Sequence, residues 1–438
     1  MRIALNQTAH IENNKMSVIA TRYFPALNFS LAHGACCRGI GLGIMVFVVL
    51  TFTHTAHAEN NDFGECIARI KSQAKAEGIP DSTISKVLDK ARYIPRVIEL
   101  DRRQPEFTQT FANYFNARIN DERIQRGREL FTRHRTLLNQ IQQETGIPAQ
   151  YLVSFWGLET NYGGYFGDWL VVDSLATLAC DPRRSTFFTQ ELLNAMRIVD
   201  AGDISPERMI GSWAGAMGHM QFMPSTFLRY AKDIDGDGRR DLWGSIPDAM
   251  GSAANFLRQL GWTPGLDWGR EVRLPPAFDY SLAGRDQMLS EAEWAKLGVT
   301  TTAGTPLLPS EQKVALLVPS GHQGPTFLVT KNFYIIMRWN RSEFYALSVG
   351  HLADRIAGAT ALHRTPLADT EKISREQVRQ LQLDLSALGI DAGEADGVMG
   401  SMTRQAISRF QKSTQRIADG HLDTTLLMAI REAANMVR

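Results

Sequence analysis

Apolar residues recur at helical spacing through most of residues 63–150. ISKVLDKA, where Asp81 or Ser82 is placed to cap the amides, FANYFNARI and ELFTRHRTLLNQIQQ each gather their large side chains on one face. Gly146-Ile147-Pro148 interrupts the pattern, and Pro148 suits the start of the next helix, AQYLVSFWGLET. That helix is predicted to stop at Asn161-Tyr162-Gly163-Gly164, with glycine supplying the reversal. Residues 180–262 stay mainly helical with prominent loops. The period then changes: REVRLP, KVALLVP and PTFLVT are short, β-leaning and separated by Pro and Gly, so residues 264–330 read as a small strand-rich insertion. Helical spacing returns from Asn332 to Ile356. Residues 359–371 are small and polar, broken by Pro366, and read as a linker; residues 372–438 have an apolar periodicity of their own. The pattern shows no internal repeat.

One stretch breaks the alternation altogether. Gly39 to Phe52 is uncharged and apolar, with Arg38 before it and Ala56-His57-Ala58 after it. A basic flank, a short apolar run and a small-x-small exit describe a secretory signal, cleaved after Ala58. The run falls short of the ~20 apolar residues that a spanning helix needs, which leaves an uncleaved anchor as the alternative. Cys36 and Cys37 precede the run, so they do not supply a lipid-modified cysteine at the cleavage point. Removal of residues 1–58 leaves Cys66 and Cys180, which in an oxidising compartment point to a disulfide, with two independent buried thiols as the alternative.

Composition adds limits. A chain of 438 residues exceeds one ordinary core, and 44% hydrophobic with 21% charged residues is globular rather than disordered. Its 47 basic and 46 acidic residues nearly cancel, which removes the electrostatic ground for nucleic acid or an anionic membrane as partner. A neutral or zwitterionic glycan is not excluded.

The candidate chemistry lies in Phe155-Trp156-Gly157-Leu158-Glu159-Thr160. Glu159 follows Trp156 by three residues and Phe155 by four, so one helix face carries a carboxylate and two large aromatics. It also occupies the last turn, where the backbone dipole disfavours negative charge. Both effects raise a carboxyl pKa, and a glycan-cleaving enzyme needs an acid still protonated near neutral pH.

The stretches SFWGLETNYGGYFG, DSLATLACDPRRSTFF, GSWAGAMGHMQFMPSTFLRYAKDIDGDGRRDLW and NFYIIMRWNRSEFYALSVGHLA follow in that order. Together they resemble the membrane-bound lytic transglycosylase B family of peptidoglycan lyases, over roughly residues 90–356. The resemblance implies a mainly α, lysozyme-like catalytic core over residues 59–358, with Glu159 as the catalytic acid. It carries Ser212 and Gln221 over as polar residues lining the cleft, and Arg183 and Arg184 as a pair suited to muropeptide carboxylates. Trp339, Asn340 and Tyr345 match the last motif, at the cleft's closing edge. Two positions depart from the family pattern. Gly218-His219-Met220-Gln221 stands where Gly-Tyr-Gly-Gln is usual, and Trp339-Asn340 where Tyr-Asn is usual, which keeps an aromatic surface and loses a hydroxyl.

The implied reaction breaks the β-1,4 bond between N-acetylmuramic acid and N-acetylglucosamine without water and leaves a 1,6-anhydro end. A muramidase hydrolysing the same bond would need a second carboxylate, for which Asp168 and Asp173 are the candidates. A wall-binding protein without activity is the alternative from another class.

Asp233-Ile234-Asp235-Gly236-Asp237-Gly238 fits the first half of a calcium loop. Arg239 offers a carbonyl, and Asp248 closes a longer loop in place of the usual twelfth-position glutamate, occupied here by Gly244. Structural calcium (or sodium) is expected there, and no cofactor for catalysis. Residues 372–438, with LQLDLSALGI, Asp396-Gly397, Phe410-Gln411 and Asp419-Gly420, resemble the small three-helix peptidoglycan-binding domain of wall enzymes. The expected setting is the periplasm, with glycan strands as the partner and other wall enzymes as further ones.

Overall fold

Most segments with 3.6 spacing form helices, although ELFTRHRTLLNQIQQ breaks at His134 between Asp121–Arg133 and Arg135–Thr145, and much of 180–262 is loop; the caps show why several helices begin where they do. A computed structural model of the chain describes residues 52–102, 110–366 and 373–438, with side chains from residue 62 onward. Thr110, Asn120, Ser245, Thr330 and Ser342 each accept a backbone N–H from the first turn of the helix they precede. Asp81 and Ser82 do not cap: the helix Asp81–Leu88 has Pro80 at its N-cap and no side-chain bond there. With Pro80 just ahead, Asp81 is already helical and sits in the first turn, where its charge suits the dipole.

The helix Ala149–Thr160 is buried at every position except Gln150, as expected of a helix that is apolar all round. It runs through the centre of the large core and packs against Glu343–Ile356, to which the Ser154 hydroxyl donates a hydrogen bond at Val349 O, 2.7 Å. The left-handed stop falls on Asn161 (φ 50°) and Tyr162 (φ 61°) as well as Gly163, so asparagine rather than glycine makes the first reversal.

The expected insertion is a five-stranded antiparallel sheet. In spatial order its strands are Met288–Ser290, Lys313–Leu317, Thr326–Val329, Gly269–Arg273 and Thr300–Thr301. Side chains alternate across it: Ala315, Leu317, Phe327 and Val329 face the large helical core, while Val314, Leu316, Leu328 and Val272 face a small core around Trp294. Burial on both faces explains why KVALL and TFLV read as continuous apolar runs.

Three helices, Arg375–Ala387, Ser401–Ser413 and Thr424–Val437, enclose a separate core in the C-terminal unit. An internal repeat is present there after all. The Gln382 side-chain amide donates to Asp396 Oδ1 and its oxygen accepts Gly397 N; Gln411 does the same with Asp419 and Gly420. The two copies separate their Gln and Asp by 14 and 8 residues, and this inequality hides them from any fixed-period reading. The second copy docks on the catalytic unit: Asp419 Oδ2 meets His322 Nδ1 at 2.7 Å and its backbone N at 2.9 Å, and Arg404 faces Glu343 at 3.5 Å.

The linker residues that are described lie against the catalytic unit. Glu271 accepts the backbone N–H groups of His363 and Arg364, and Pro366 O accepts Asn116 Nδ2. Cys66 and Cys180 form a disulfide, with Cα atoms 5.8 Å apart. All but the last residue of the apolar run Gly39–Phe52 lies outside the described residues, and Ala56-His57-Ala58 falls within the helix Phe52–Ala76. Among the described residues no helix is long and apolar enough to cross a membrane.

Candidate active site

Glu159 sits in the last turn of its helix with only 7% of its surface exposed. Its carboxylate accepts a very short hydrogen bond from the Tyr345 hydroxyl and a further one from the Trp339 side chain. Desolvation pushes the acid up to about 7; the two donors, which favour the charged form, hold it from going higher. Burial and the neighbouring Glu159 drive Tyr345 well above its ordinary range, so its hydroxyl keeps its proton. A carboxyl raised in this way keeps its proton closer to neutral pH than a solvated glutamate does.

Tyr345 is held by the first turn of Glu343–Ile356, and Trp339 by the last turn of Lys331–Trp339. Trp339 is half-buried: one face lies against Phe155, rings 4.2 Å apart and 28° from parallel, with Phe222 and Phe256 packed at an angle to it. Its side chain is a donor to Glu159. Asn340, buried beside it, caps the helix and turns the chain, its Oδ1 accepting Ser342 N at 3.2 Å.

Ser212 and Gln221 lie in the compact turns that join Gly211 to Phe222. Ser212 Oγ accepts Ala216 N at 3.0 Å. Gln221 takes a left-handed backbone (φ 48°), and its amide nitrogen donates to Phe166 O and Gly218 O at 3.1 and 3.0 Å. A non-glycine residue held in that region is strained, and such strain gathers at functional sites. Arg183 and Arg184 are engaged elsewhere. Both guanidinium groups meet the buried carboxylate of Asp101, and Arg184 also lies over the Phe188 ring at 4.9 Å. Sequence could not supply this partner, 82 residues from Arg183.

The two carboxylates that a hydrolase would call on are also spoken for. Asp173 is buried and takes three bonds from Arg92, at 2.9–3.1 Å. Asp168 accepts the Tyr165 hydroxyl at 2.9 Å.

In the aspartate loop, Asp233, Asp235 and Asp248 bring one oxygen each within 4.8 Å of one another. Asp237 lies outside that group of three, its Oδ2 pairing with Arg239 Nη2 at 2.8 Å. Asp248 anchors the loop by accepting backbone N–H groups from Ile234, Asp235 and Asp241.

His219 is the residue that sequence reasoning passed over. Its Nδ1 accepts the Trp156 indole N–H at 2.9 Å, and its carbonyl accepts the Thr160 hydroxyl at 3.0 Å. Its departure from the family pattern was the only signal.

A central helix ending in a buried acid, an aromatic wall behind it and a strained turn in front define a lysozyme-like glycan-cleaving enzyme. Comparison with known proteins narrows this. The transglycosylase SLT domain family matches residues 62–354 and the peptidoglycan binding domain family residues 374–430, so the chain belongs to the SLT transglycosylases. Membrane-bound lytic murein transglycosylase B of Escherichia coli (strain K12) is 30% identical over 308 residues, 66% of this chain and 81% of that protein. SltB3 of Pseudomonas aeruginosa, solved in complex with NAG-anhNAM-pentapeptide, is 41% identical with a TM-score of 0.81, over 84% of this chain and 99% of that one. An Escherichia coli lytic transglycosylase solved in complex with calcium is 29% identical with a TM-score of 0.58, over 67% of this chain and 92% of that one. The protein is a peptidoglycan lytic transglycosylase.

Proposed function

We propose that Glu159 is the single acid and base of this lytic transglycosylase, with Tyr345 and Trp339 setting its proton affinity. As the acid it protonates the oxygen between N-acetylmuramic acid and N-acetylglucosamine, and the C1–O bond breaks. The muramic acid's own acetamido oxygen stabilises the cation developing at C1. The carboxylate then takes the proton of the C6 hydroxyl as the C6 oxygen bonds to C1, giving the 1,6-anhydro sugar and returning the acid to its starting form. No water enters. The observation that carries this reading is the buried Glu159 carboxyl at the helix end, bonded by the Tyr345 hydroxyl and raised by desolvation, while Asp173 is held by Arg92 and Asp168 is exposed.

Gln221, on its strained turn, and Ser212 would orient the N-acetyl group and hydroxyls of a sugar, with Asn340 at the adjoining edge. Arg183 and Arg184 serve best as the brace of Asp101, and a muropeptide carboxylate would have to compete for them. Structural calcium fits the aspartate loop: Asp233, Asp235 and Asp248 would hold it and tie the loop to the helix Ile246–Gln259, without part in the chemistry. The relative solved with calcium supports this reading. The mature enzyme, residues 59–438 after loss of a signal peptide, works in the periplasm; a disulfide at Cys66 and Cys180 suits that compartment. Residues 372–438, beyond the linker 359–371, hold it on glycan strands, where tethering raises the local concentration of the catalytic unit.

The test is mass spectrometry of fragments released from purified sacculi by residues 59–438. Products one water lighter than hydrolysis products, ending in 1,6-anhydro-muramic acid, are expected. Reducing-end muramic acid would mean hydrolysis and a second carboxylate.

A further inference from the structure

The last turn of the acid's helix and the turn bearing Gln221 come from opposite ends of a long stretch of chain, and one residue joins them. The buried ring of His219 accepts the Trp156 indole N–H on Nδ1 at 2.9 Å, and Trp156 stands one helical turn before Glu159 and Thr160. The His219 carbonyl accepts the Thr160 hydroxyl at 3.0 Å, and the same hydroxyl accepts Gly163 N at 3.0 Å. From the other side, His219 N donates to Leu242 O at 2.8 Å, and the ring meets Phe166 edge-on with centroids 4.7 Å apart. Gln221, two residues on, donates to the carbonyl of that same Phe166. The arrangement leaves no space to spare: a Cβ on Gly163 would lie 2.4 Å from His219 Cε1, and Gly163 already needs φ +77°. Burial lowers the ring to about 4, so at neutral pH it is uncharged and Nδ1 offers a lone pair.

We propose that His219 is a positioning residue that fixes the Gln221 turn against the end of the acid's helix through the Trp156 and Thr160 bonds. This rests on Glu159 being the acid. The ring touches neither the carboxyl nor any reacting atom; its effect passes through the helix end and the strained turn, where a shift of about 1 Å is enough to cost on the order of 100-fold.

Asn and Leu separate the bond from the bulk, because Asn Oδ1 falls where His Nδ1 does and Leu fills similar volume without an acceptor. With soluble muropeptide substrate, His219→Leu is expected to lose about 30-fold or more in kcat with KM changed less than about threefold. His219→Asn should recover most of the loss, and Trp156→Phe should match the leucine variant without adding to it in the double variant. Equal impairment of the Asn and Leu variants, or a folded His219→Leu enzyme with wild-type kcat, would overturn the proposal. Should the leucine variant fail to fold, Trp156→Phe alone decides, since it deletes the donor and keeps His219. A Glu159→Gln enzyme assayed in parallel keeps the two readings apart: if it is active, the acid assignment fails; if it is dead while His219→Leu is unimpaired, only the present inference fails.

Discussion

Two regions of this enzyme hold carboxylates in different ways, one singly and the other as a cluster. Glu159 stands alone in an apolar wall, accepts bonds from two neutral side chains and is pushed up to about 7. The aspartate loop gathers several carboxylates under backbone donors: Asp233, Asp235 and Asp237 are exposed, while Asp248, buried and raised by desolvation, anchors them from the helix Ile246–Gln259. Asp233 accepts Gly236 N and Gly238 N, and Asp237, fully exposed, is held below its ordinary value by Arg239. On the function proposed above, like groups serve as an acid that exchanges protons in one place and as an anionic cradle in the other. The difference is a lone desolvated carboxyl with two neutral side-chain donors against a cluster held by backbone N–H groups. Residue type does not decide the function of a carboxylate; its surroundings do.

The largest effect should come from removing the acid. Glu159→Gln keeps the shape and the two donors' company but cannot donate a proton, and a drop in turnover on the order of 10³-fold or more is expected. Substantial residual activity in folded protein would end the assignment. The same variant tests the environment. The native carboxyl binds its proton more tightly than the unfolded chain's, about 7 against 4.5, so wild-type stability falls as pH rises through that window. The full cost, roughly 3 kcal/mol, applies above pH 7. Glutamine carries no such cost. Thermal melts should show the variant gaining on wild type from pH 4.5 to 7; parallel curves would mean that the carboxyl is not desolvated in solution.

Next in size is the loss of one donor. Tyr345→Phe removes a bond that favours the charged form, so Glu159 should become a weaker acid still. The alkaline limb of kcat against pH, which reports loss of the protonated acid in the bound enzyme, should move upward. Turnover at pH 7 should fall about tenfold as the base half of the cycle suffers. A limb that stays in place would separate Tyr345 from the acid.

How much of this was legible beforehand follows the range of the interactions. The face shared by Phe155, Trp156 and Glu159 is a matter of helix period, so the aromatic setting of Glu159 could be read locally, while its role as acid came from the resemblance. KVALL and TFLV announced a sheet in the same way. Tyr345 and Trp339 were visible only as matches to a motif. That they donate to Glu159 depends on helices far apart in sequence, Tyr345 being 186 residues away. Arg183 and Arg184 looked available because Asp101 lies 82 residues from Arg183 and nothing local predicts the meeting. His219 looked like a mere departure from pattern for the same reason. In the C-terminal unit the repeat of Gln, Asp and Gly escaped notice because its two copies differ in length, although their hydrogen bonds agree.

At the loop, removing the buried anchor should have a moderate effect. Saturating calcium is expected to raise the wild-type melting temperature by several degrees, and Asp248→Ala should abolish that shift while also lowering the metal-free melting temperature. Activity on soluble substrate should change little once the protein is folded. A calcium shift unaltered by the substitution would place the ion elsewhere.

The smallest effect is the most pointed test of the comparison. Arg239 pairs with Asp237 at 2.8 Å on the exposed side of the loop. Such a surface pair adds little to stability, but it withholds a carboxylate from the cluster and sets a positive charge beside it. Arg239→Gln removes both obstacles. If donors covering the carboxylates are what make the loop a weak cradle, calcium should bind roughly threefold more tightly to the variant in titration calorimetry, with stability without metal nearly unchanged, because affinity in such loops rises with the number of charged ligands. Unchanged affinity would mean that Asp237 is held away by the backbone rather than by its partner. The loop's strength would then be set by chain geometry, as it is for Glu159's position at the helix end, and not by the charges around it.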